Sequence, residues 1–167
     1  YKALSHDKDI TFTPRFYAKD QLLLQTEYRT VSKNSKSSTD FSIFNEKGEH
    51  FESHIFYNSN RNLSLSDFEK SDLNIRLETA SNDTYLKGNN LTSPIISSYD
   101  VLESSLQLEL ASKETEIKTD LILIENLNES NNSDKFHYIF PRIKINKYFE
   151  NKEILDGNFI FNSDNII

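Results

Sequence analysis

A chain of 167 residues with a formal charge of −7 and no Lys/Arg cluster excludes a nucleic-acid binder, which needs a basic face for phosphates. Its mean hydropathy is −0.63, and no apolar run nears the roughly 20 residues of a spanning helix, so a helical membrane protein is excluded. The 12 Phe and 8 Tyr are too many for a disordered tail, and with no Cys there is neither a disulfide nor a thiolate metal site.

Alternation of apolar and polar residues with a period of two dominates the chain and marks strands with one greasy and one wet face. About nine such segments stand out, near residues 9–17, 21–31, 39–46, 51–58, 71–81, 101–112, 116–126, 136–147 and 157–163. In the first, Pro14 interrupts the run, and a proline removes a ladder hydrogen bond and favours an edge. In the second, Leu22, Leu24, Thr26 and Tyr28 oppose Gln21, Gln25, Glu27 and Arg29. The fifth sets Leu73, Ile75, Leu77 and Thr79 against Asp72, Asn74, Arg76 and Glu78. The sixth sets Leu102, Leu106, Leu108 and Leu110 against Glu103, Ser105, Gln107 and Glu109. Leucines at 102, 106 and 110 also fit a helical stripe, but Leu108 keeps the period of two and Ser104 and Ser105 interrupt a helix.

Turn signals separate the segments. Ala18-Lys-Asp20, Glu46-Lys-Gly-Glu49 and Ser112-Lys-Glu-Thr115 read as short reversals, whereas Ser32–Ser38, Asn82–Tyr99 and Asn126–Lys135 read as longer polar loops. The expected fold is therefore all-β: an antiparallel up-and-down meander of about nine strands forming part of an outer-membrane β-barrel. Spanning strands need only about 9–11 residues with one apolar face, which an averaged hydropathy conceals. The lipid-facing candidates are Leu22, Leu24, Leu73, Ile75, Leu106 and Leu108. The lumen-facing candidates are Gln25, Glu27, Arg29, Arg76 and Glu78. Tyr17, Tyr28 and Tyr138 are candidates for interfacial girdles.

Little in the chain carries chemistry. His50 and His54 lie four apart, which pairs them on a helix but merely places them on one face of a strand, and no third ligand is close in sequence. Ser, His and Asp are present without a nucleophile elbow, and 3 Gly leave no phosphate-cradling loop. The Asn-x-Ser/Thr triplets are as frequent as an Asn- and Ser-rich chain produces by chance. No enzyme activity, metal or cofactor is expected. Pro14 has two readings: an edge or bulge that tolerates a missing N–H, or a seam weakened so that two strands can part.

Ser5-His-Asp-Lys-Asp-Ile-Thr-Phe-Thr-Pro-Arg-Phe-Tyr17, followed by Leu22-Leu-Leu-Gln-Thr-Glu-Tyr-Arg29, resembles the start of the barrel domain of the LPS-assembly outer-membrane protein LptD (OstA) family. In that family an Asp-hydrophobic-Thr-hydrophobic-Thr-Pro strand precedes one ending in Glu-Tyr/Phe-Arg. Thr79-Ala-Ser-Asn-Asp-Thr-Tyr-Leu86 is similar to a later family segment. Leu102–Leu127 and His137-Tyr-Ile-Phe-Pro-Arg-Ile-Lys-Ile145 follow in the family's order, and the likeness thins after about residue 150.

The resemblance implies a large antiparallel outer-membrane barrel joined to a periplasmic jelly-roll domain and plugged by an LptE-like lipoprotein. It also implies lipopolysaccharide export through a lateral opening between first and last strands, fed by periplasmic LPS-transport bridge proteins. Pro14 matches the family's second-strand proline, which turns the weakened seam into the expected reading. Residues 1–167 are then expected to be the N-terminal strands of the barrel domain, without a second domain. The alternatives are another outer-membrane barrel, such as a receptor or porin, or a soluble β-sandwich binding module whose apolar faces meet in a dry core.

Overall fold

The computed structural model describes residues 1–18, 21–46, 50–129, 135–151 and 157–166. Ten strands lie in chain order: β1 (Lys2–Ser5), β2 (Lys8–Tyr17), β3 (Gln21–Ser32), β4 (Ser35–Glu46), β5 (His50–Asn62), β6 (Lys70–Ala80), β7 (Val101–Ala111), β8 (Thr115–Asn126), β9 (Phe136–Asn151) and β10 (Gly157–Ile166). They form one antiparallel sheet in which each strand pairs with its neighbours in sequence. Local pairing of this kind follows from short connections, which bring consecutive strands together first. The described strands do not close: β1 and β10 are the two edges of the sheet.

Each of the nine expected strands is present, and β1 is an addition. It has only four residues, too few for alternation to register, and it pairs with Lys8–Ile10 alone. A second difference lies at Ser32–Ser38, where the expected loop is a tight hairpin around Lys33 and Asn34. Pairing there runs on through Thr30↔Ser37 and Ser32↔Ser35. β5 likewise continues past residue 58, held by polar cross-strand pairs: Asn60 donates to Asn74 at 2.6 Å and Asn62 to Asp72 at 2.9 Å. Hydrophobicity lapses in these stretches while the ladder persists, because side-chain amides and hydroxyls pair across strands as well as apolar groups do. Ser112–Thr115 is the expected reversal, closed by the Ser112 N–H donating to the Thr115 carbonyl at 2.7 Å. The turns placed at residues 18–20 and 46–49, and much of the Asn126–Lys135 loop, fall largely outside the described residues.

Register assigns the two faces of the sheet. Phe12, Leu24, Ile43 and Ile55 belong to one face, as do Leu77, Leu106 and Leu121 farther along. Many of its large apolar side chains are exposed, among them Phe12, Phe16, Leu22, Phe41, Ile55, Leu77, Leu106 and Leu121. The opposite face carries most of the polar positions of the strands, and it is buried in part, at Leu23, Gln25, Asp40, Ser42, Phe44, His54, Phe56 and Glu78. The connection between β6 and β7, residues 81–100, contains a single helical turn, α1 (Tyr85–Gly88), and folds back over this second face. There Tyr85, Leu86 and Leu91 pack with Leu23, Phe44, Phe56, Leu102 and Leu127 into an apolar cluster of buried residues.

Leu102 corrects the sequence reading. The β6–β7 ladder stops at Arg76↔Ser105, and beyond it Leu102 turns into the buried cluster instead of the exposed face. Tyr17 is a second correction to the expected girdle. It lies on the covered side, its ring edge-on to Phe44 with centroids 5.7 Å apart.

Candidate functional site

Two features stand out: the edge of β2 at Pro14, and the polar face beneath the 81–100 strap. The first follows from ladder parity. In an antiparallel pair, alternate residues exchange hydrogen bonds with one neighbour while those between point the other way. The Val31 N–H donates to the Asp7 carbonyl at 2.8 Å, which makes Asp7–Val31 a bonded pair. The β2–β3 register runs unbroken from Lys8↔Thr30 to Tyr17↔Gln21, so the bonded pairs continue at Asp9, Thr11, Thr13 and Arg15. Pro14, opposite Leu24, falls between them. Its nitrogen therefore points away from β3, and the β2–β3 ladder loses nothing. The missing donor lies on the β1 side, where β1 covers only residues 8–10 of β2 and leaves residues 11–17 as an open edge. The edge reading and the weakened-seam reading thus share one geometry: whatever strand lies along that edge finds no N–H at Pro14.

The second feature is a set of buried polar side chains brought together from three neighbouring strands. Gln25 on β3, Asp40 and Ser42 on β4 and His54 on β5 are all almost fully enclosed. Gln25 Nε2 donates to both Asp40 carboxylate oxygens at 3.0 Å and to the Thr92 carbonyl of the strap at 2.9 Å. Ser42 Oγ lies 2.6 Å from His54 Nδ1 and 2.6 Å from the Tyr85 hydroxyl. His54 Nε2 is 3.3 Å from Asp40 Oδ1 but has no hydrogen-bond partner of good geometry, and its ring stacks on Phe56 at 4.2 Å. Burial pushes the Tyr85 hydroxyl up to about 12, with the Ser42 hydrogen bond a smaller opposing influence. The phenol is therefore neutral throughout the physiological range, able both to donate to Ser42 and to accept from it.

Ser42, His54 and Asp40 carry the side-chain types of a hydrolytic triad, but their surroundings differ from one. A nucleophile must reach its substrate, and Ser42 is fully enclosed beneath Tyr85. In this arrangement the trio bonds the strap to the sheet. Among the described residues no group of three or more His, Asp or Glu is placed to hold a metal ion.

Further bonds tie down the strap along its length. Arg15 donates to the carbonyls of Asn89 and Asn90 at 2.9 and 3.0 Å, and Arg76 to that of Ile95 at 3.4 Å. Lys87 pairs with Asp100, and this ammonium, followed by the Asn128 amide, holds the exposed Asp100 carboxyl below its usual range. Where the β6–β7 ladder ends, side chains replace it. Ser104 Oγ accepts from the Glu78 N–H at 3.0 Å and donates to the Glu78 carbonyl at 3.2 Å. The Glu78 carboxylate accepts from the Glu103 N–H at 2.9 Å and from Arg76 Nε at 2.7 Å.

The residues expected at the lumen share the covered face yet differ in surroundings. Gln25 and Glu78 are buried, Arg76 and Glu27 are half-buried, and Arg29 is exposed and pairs with Asp9 at 2.8 Å. Those expected at lipid share the opposite face, with Leu22 and Leu106 exposed and Leu24, Leu73, Ile75 and Leu108 half-buried. The strap and the Asp40–Ser42–His54 set are absent from the sequence reading. One signal for them existed: Leu23, Phe44 and Phe56 break the alternation and place apolar residues on the polar face, which a wet surface has no use for. No protein-family model matches the chain, and no curated protein matches it.

Proposed function

We propose that the chain forms early strands of an outer-membrane β-barrel of the LptD kind, which inserts lipopolysaccharide into the outer leaflet through a lateral seam at β2. The observation that carries this reading is the inversion of the sheet: its apolar face has large exposed side chains from β2 to β8, and its polar face is covered by the strap over part of β3 to β6. A water-soluble sheet buries its apolar face; a sheet that spans a bilayer presents it to lipid. No helix among the described residues is long and apolar enough to cross a membrane, and the strands, at ten residues or more from β2 on, have the length a crossing needs.

A bilayer accepts β structure only when every backbone group is paired, so the open edges at β1 and β10 call for further strands that complete the ring. On this reading Pro14 makes the β1–β2 side of the ring the easiest place to part. Lipopolysaccharide is the cargo, an LptE-like lipoprotein fills the lumen and periplasmic bridge proteins deliver the lipid. A receptor or porin barrel shares the inverted sheet but gains nothing from an edge that lacks a donor. In a soluble β-sandwich the exposed apolar face would have to be covered by a second layer, and the described residues supply none.

Photocrosslinking in cells tests the assignment. With a photoreactive residue at Phe12 or Pro14 of the complete protein, lipopolysaccharide adducts are expected, and none at Leu108 in the middle of the wall. An outer-membrane protein that yields no adduct at any of these positions is a barrel with another cargo.

A further inference from the structure

We propose that Arg15 is a positioning residue: through the 81–100 strap it holds β2 against the sheet as the fixed lip of the seam, so that the strand on the β1 side of β2 is the one that moves. The inference rests on the reading that this side of β2 parts. β1 covers only residues 8–10 of β2, and from Thr11 to Tyr17 the strand is bonded along one side alone, to β3. An edge held by a single ladder frays more readily than a strand held by two.

The bare half of β2 is held from the covered face instead. Arg15 lies opposite Leu23, a member of the buried cluster. Its Nη1 donates to the Asn89 carbonyl at 2.9 Å and to the Asn90 carbonyl at 3.0 Å, one bond for each of its two hydrogens. Asn90 has a φ of 47°, and the left-handed bend there lets two successive carbonyls face one donor. Arg29, Arg76 and Arg142 each pair with a carboxylate, whereas Arg15 has none within ion-pair distance among the described residues, so no acid competes with the strap for it. Two residues on, Tyr17 packs edge-on against Phe44 of β4, a contact that steps over β3 altogether.

The strap can brace β2 because it is anchored to strands farther into the wall. Its Thr92 carbonyl accepts from Gln25 on β3, its Tyr85 hydroxyl lies 2.6 Å from Ser42 Oγ on β4, and its Ile95 carbonyl accepts from Arg76 on β6. With Arg15 added, one segment ties β2, β3, β4 and β6 into a panel, and β5 joins it through Phe56 in the same cluster. Among the described residues no hydrogen bond joins the strap to β1. A force that separates the two sides of the seam therefore meets the panel on one side and the short β1–β2 ladder on the other. Pro14 and Arg15 act in opposite directions from adjacent positions. The proline withholds a donor from the outer neighbour, and the arginine keeps β2 from following that neighbour away.

Hydrogen–deuterium exchange of the complete protein in detergent micelles tests the brace. The N–H groups of Thr11 and Thr13 belong to the β2–β3 ladder, so their exchange reports β2 lifting from β3. In Arg15→Met, which keeps the stem and removes the donors, exchange in peptides covering Thr11 and Thr13 is expected to quicken by about tenfold, as loss of hydrogen bonds from a charged donor requires. Peptides of β4 and β5 are expected to keep their rates, and Arg15→Lys to restore part of the protection. In the unaltered protein β1 is expected to exchange faster than β2; the reverse order overturns the choice of moving strand. Unchanged exchange at Thr11 and Thr13 in Arg15→Met overturns the brace, while the seam itself is judged separately by lipopolysaccharide adducts at Pro14. Exchange that quickens equally in β4 and β5 makes Arg15 a support of the whole sheet and likewise overturns the brace. A change confined to β2 in a protein that yields no adduct at Pro14 leaves an anchored strand with no seam to serve, and overturns the positioning role.

Discussion

Replacing Asp40 by alanine is expected to destabilise the chain by about 3 kcal/mol, while Asp40→Asn loses less than half of that. Asp40 is the acceptor for Gln25, and its carboxylate faces His54 Nε2 in a region without solvent. Truncation leaves the Gln25 amide with one partner, the Thr92 carbonyl, and leaves His54 Nε2 facing a cavity. Gln25 loses both carboxylate contacts and His54 Nε2 loses the carboxylate oxygen 3.3 Å away, and leaving buried polar groups short of partners costs more than the bonds themselves contribute. Asparagine keeps the volume and one acceptor oxygen. The check is the urea midpoint of the refolded protein in detergent micelles, with unchanged slope as evidence that the same transition is measured. A shift in the Asp40→Ala midpoint worth less than about 0.5 kcal/mol would show that the network does not hold the strap down.

Pro14→Val is expected to have the largest effect on function. Valine restores an N–H that, by ladder parity, points to the β1 side of β2 and not into the β2–β3 ladder. One added hydrogen bond contributes about 0.5–1.5 kcal/mol, enough to reduce the fraction of parted seams about two- to tenfold. Surface lipopolysaccharide is expected to fall, and sensitivity to bulky hydrophobic antibiotics to rise. Pro14→Ala supplies the same N–H with less β propensity and is expected to act in the same direction. Leu22→Val, on the same exposed face but on β3 and without a change in donors, serves as the control. Normal export in both Pro14 variants would reduce the proline to an edge residue that blunts unwanted pairing.

How legible the fold was depends on what each residue reports. Alternation in β3 and β6 reveals strand and face together, because it records only which residues avoid water or seek it. Continuation of β4 and β5 into Ser- and Asn-rich stretches is invisible to that signal, since the ladder there is held by backbone and amide pairs. The strap was readable only as a loop. Tyr85, Leu86 and Leu91 stand among Asn, Ser, Thr and Gly, and a single helical turn has no periodicity to detect. The Asp40–Ser42–His54 set eluded the sequence for a related reason: a polar position on a strand looks the same whether water or another segment covers it. The consecutive apolar residues Leu22-Leu-Leu24, Ile43-Phe44 and Ile55-Phe-Tyr57 were the one hint that something lies over the polar face. Pro14 shows the complementary limit. Its presence was plain in the sequence, but the direction of its nitrogen required the register.

The most direct test of the account is a nitroxide scan along β3 in reconstituted bilayers, one cysteine at a time from Leu22 to Tyr28. These 167 residues contain no Cys, and the spectrum of the protein without an introduced cysteine, recorded first, isolates the contribution of each label. If the apolar face meets lipid, oxygen accessibility peaks at Leu22, Leu24, Thr26 and Tyr28 and falls at Leu23, Gln25 and Glu27, while a water-soluble nickel chelate reaches none of the first set. Labels at Leu22 and Leu24 that the chelate reaches freely, or that neither agent reaches, would contradict the membrane placement on which the proposed export seam depends.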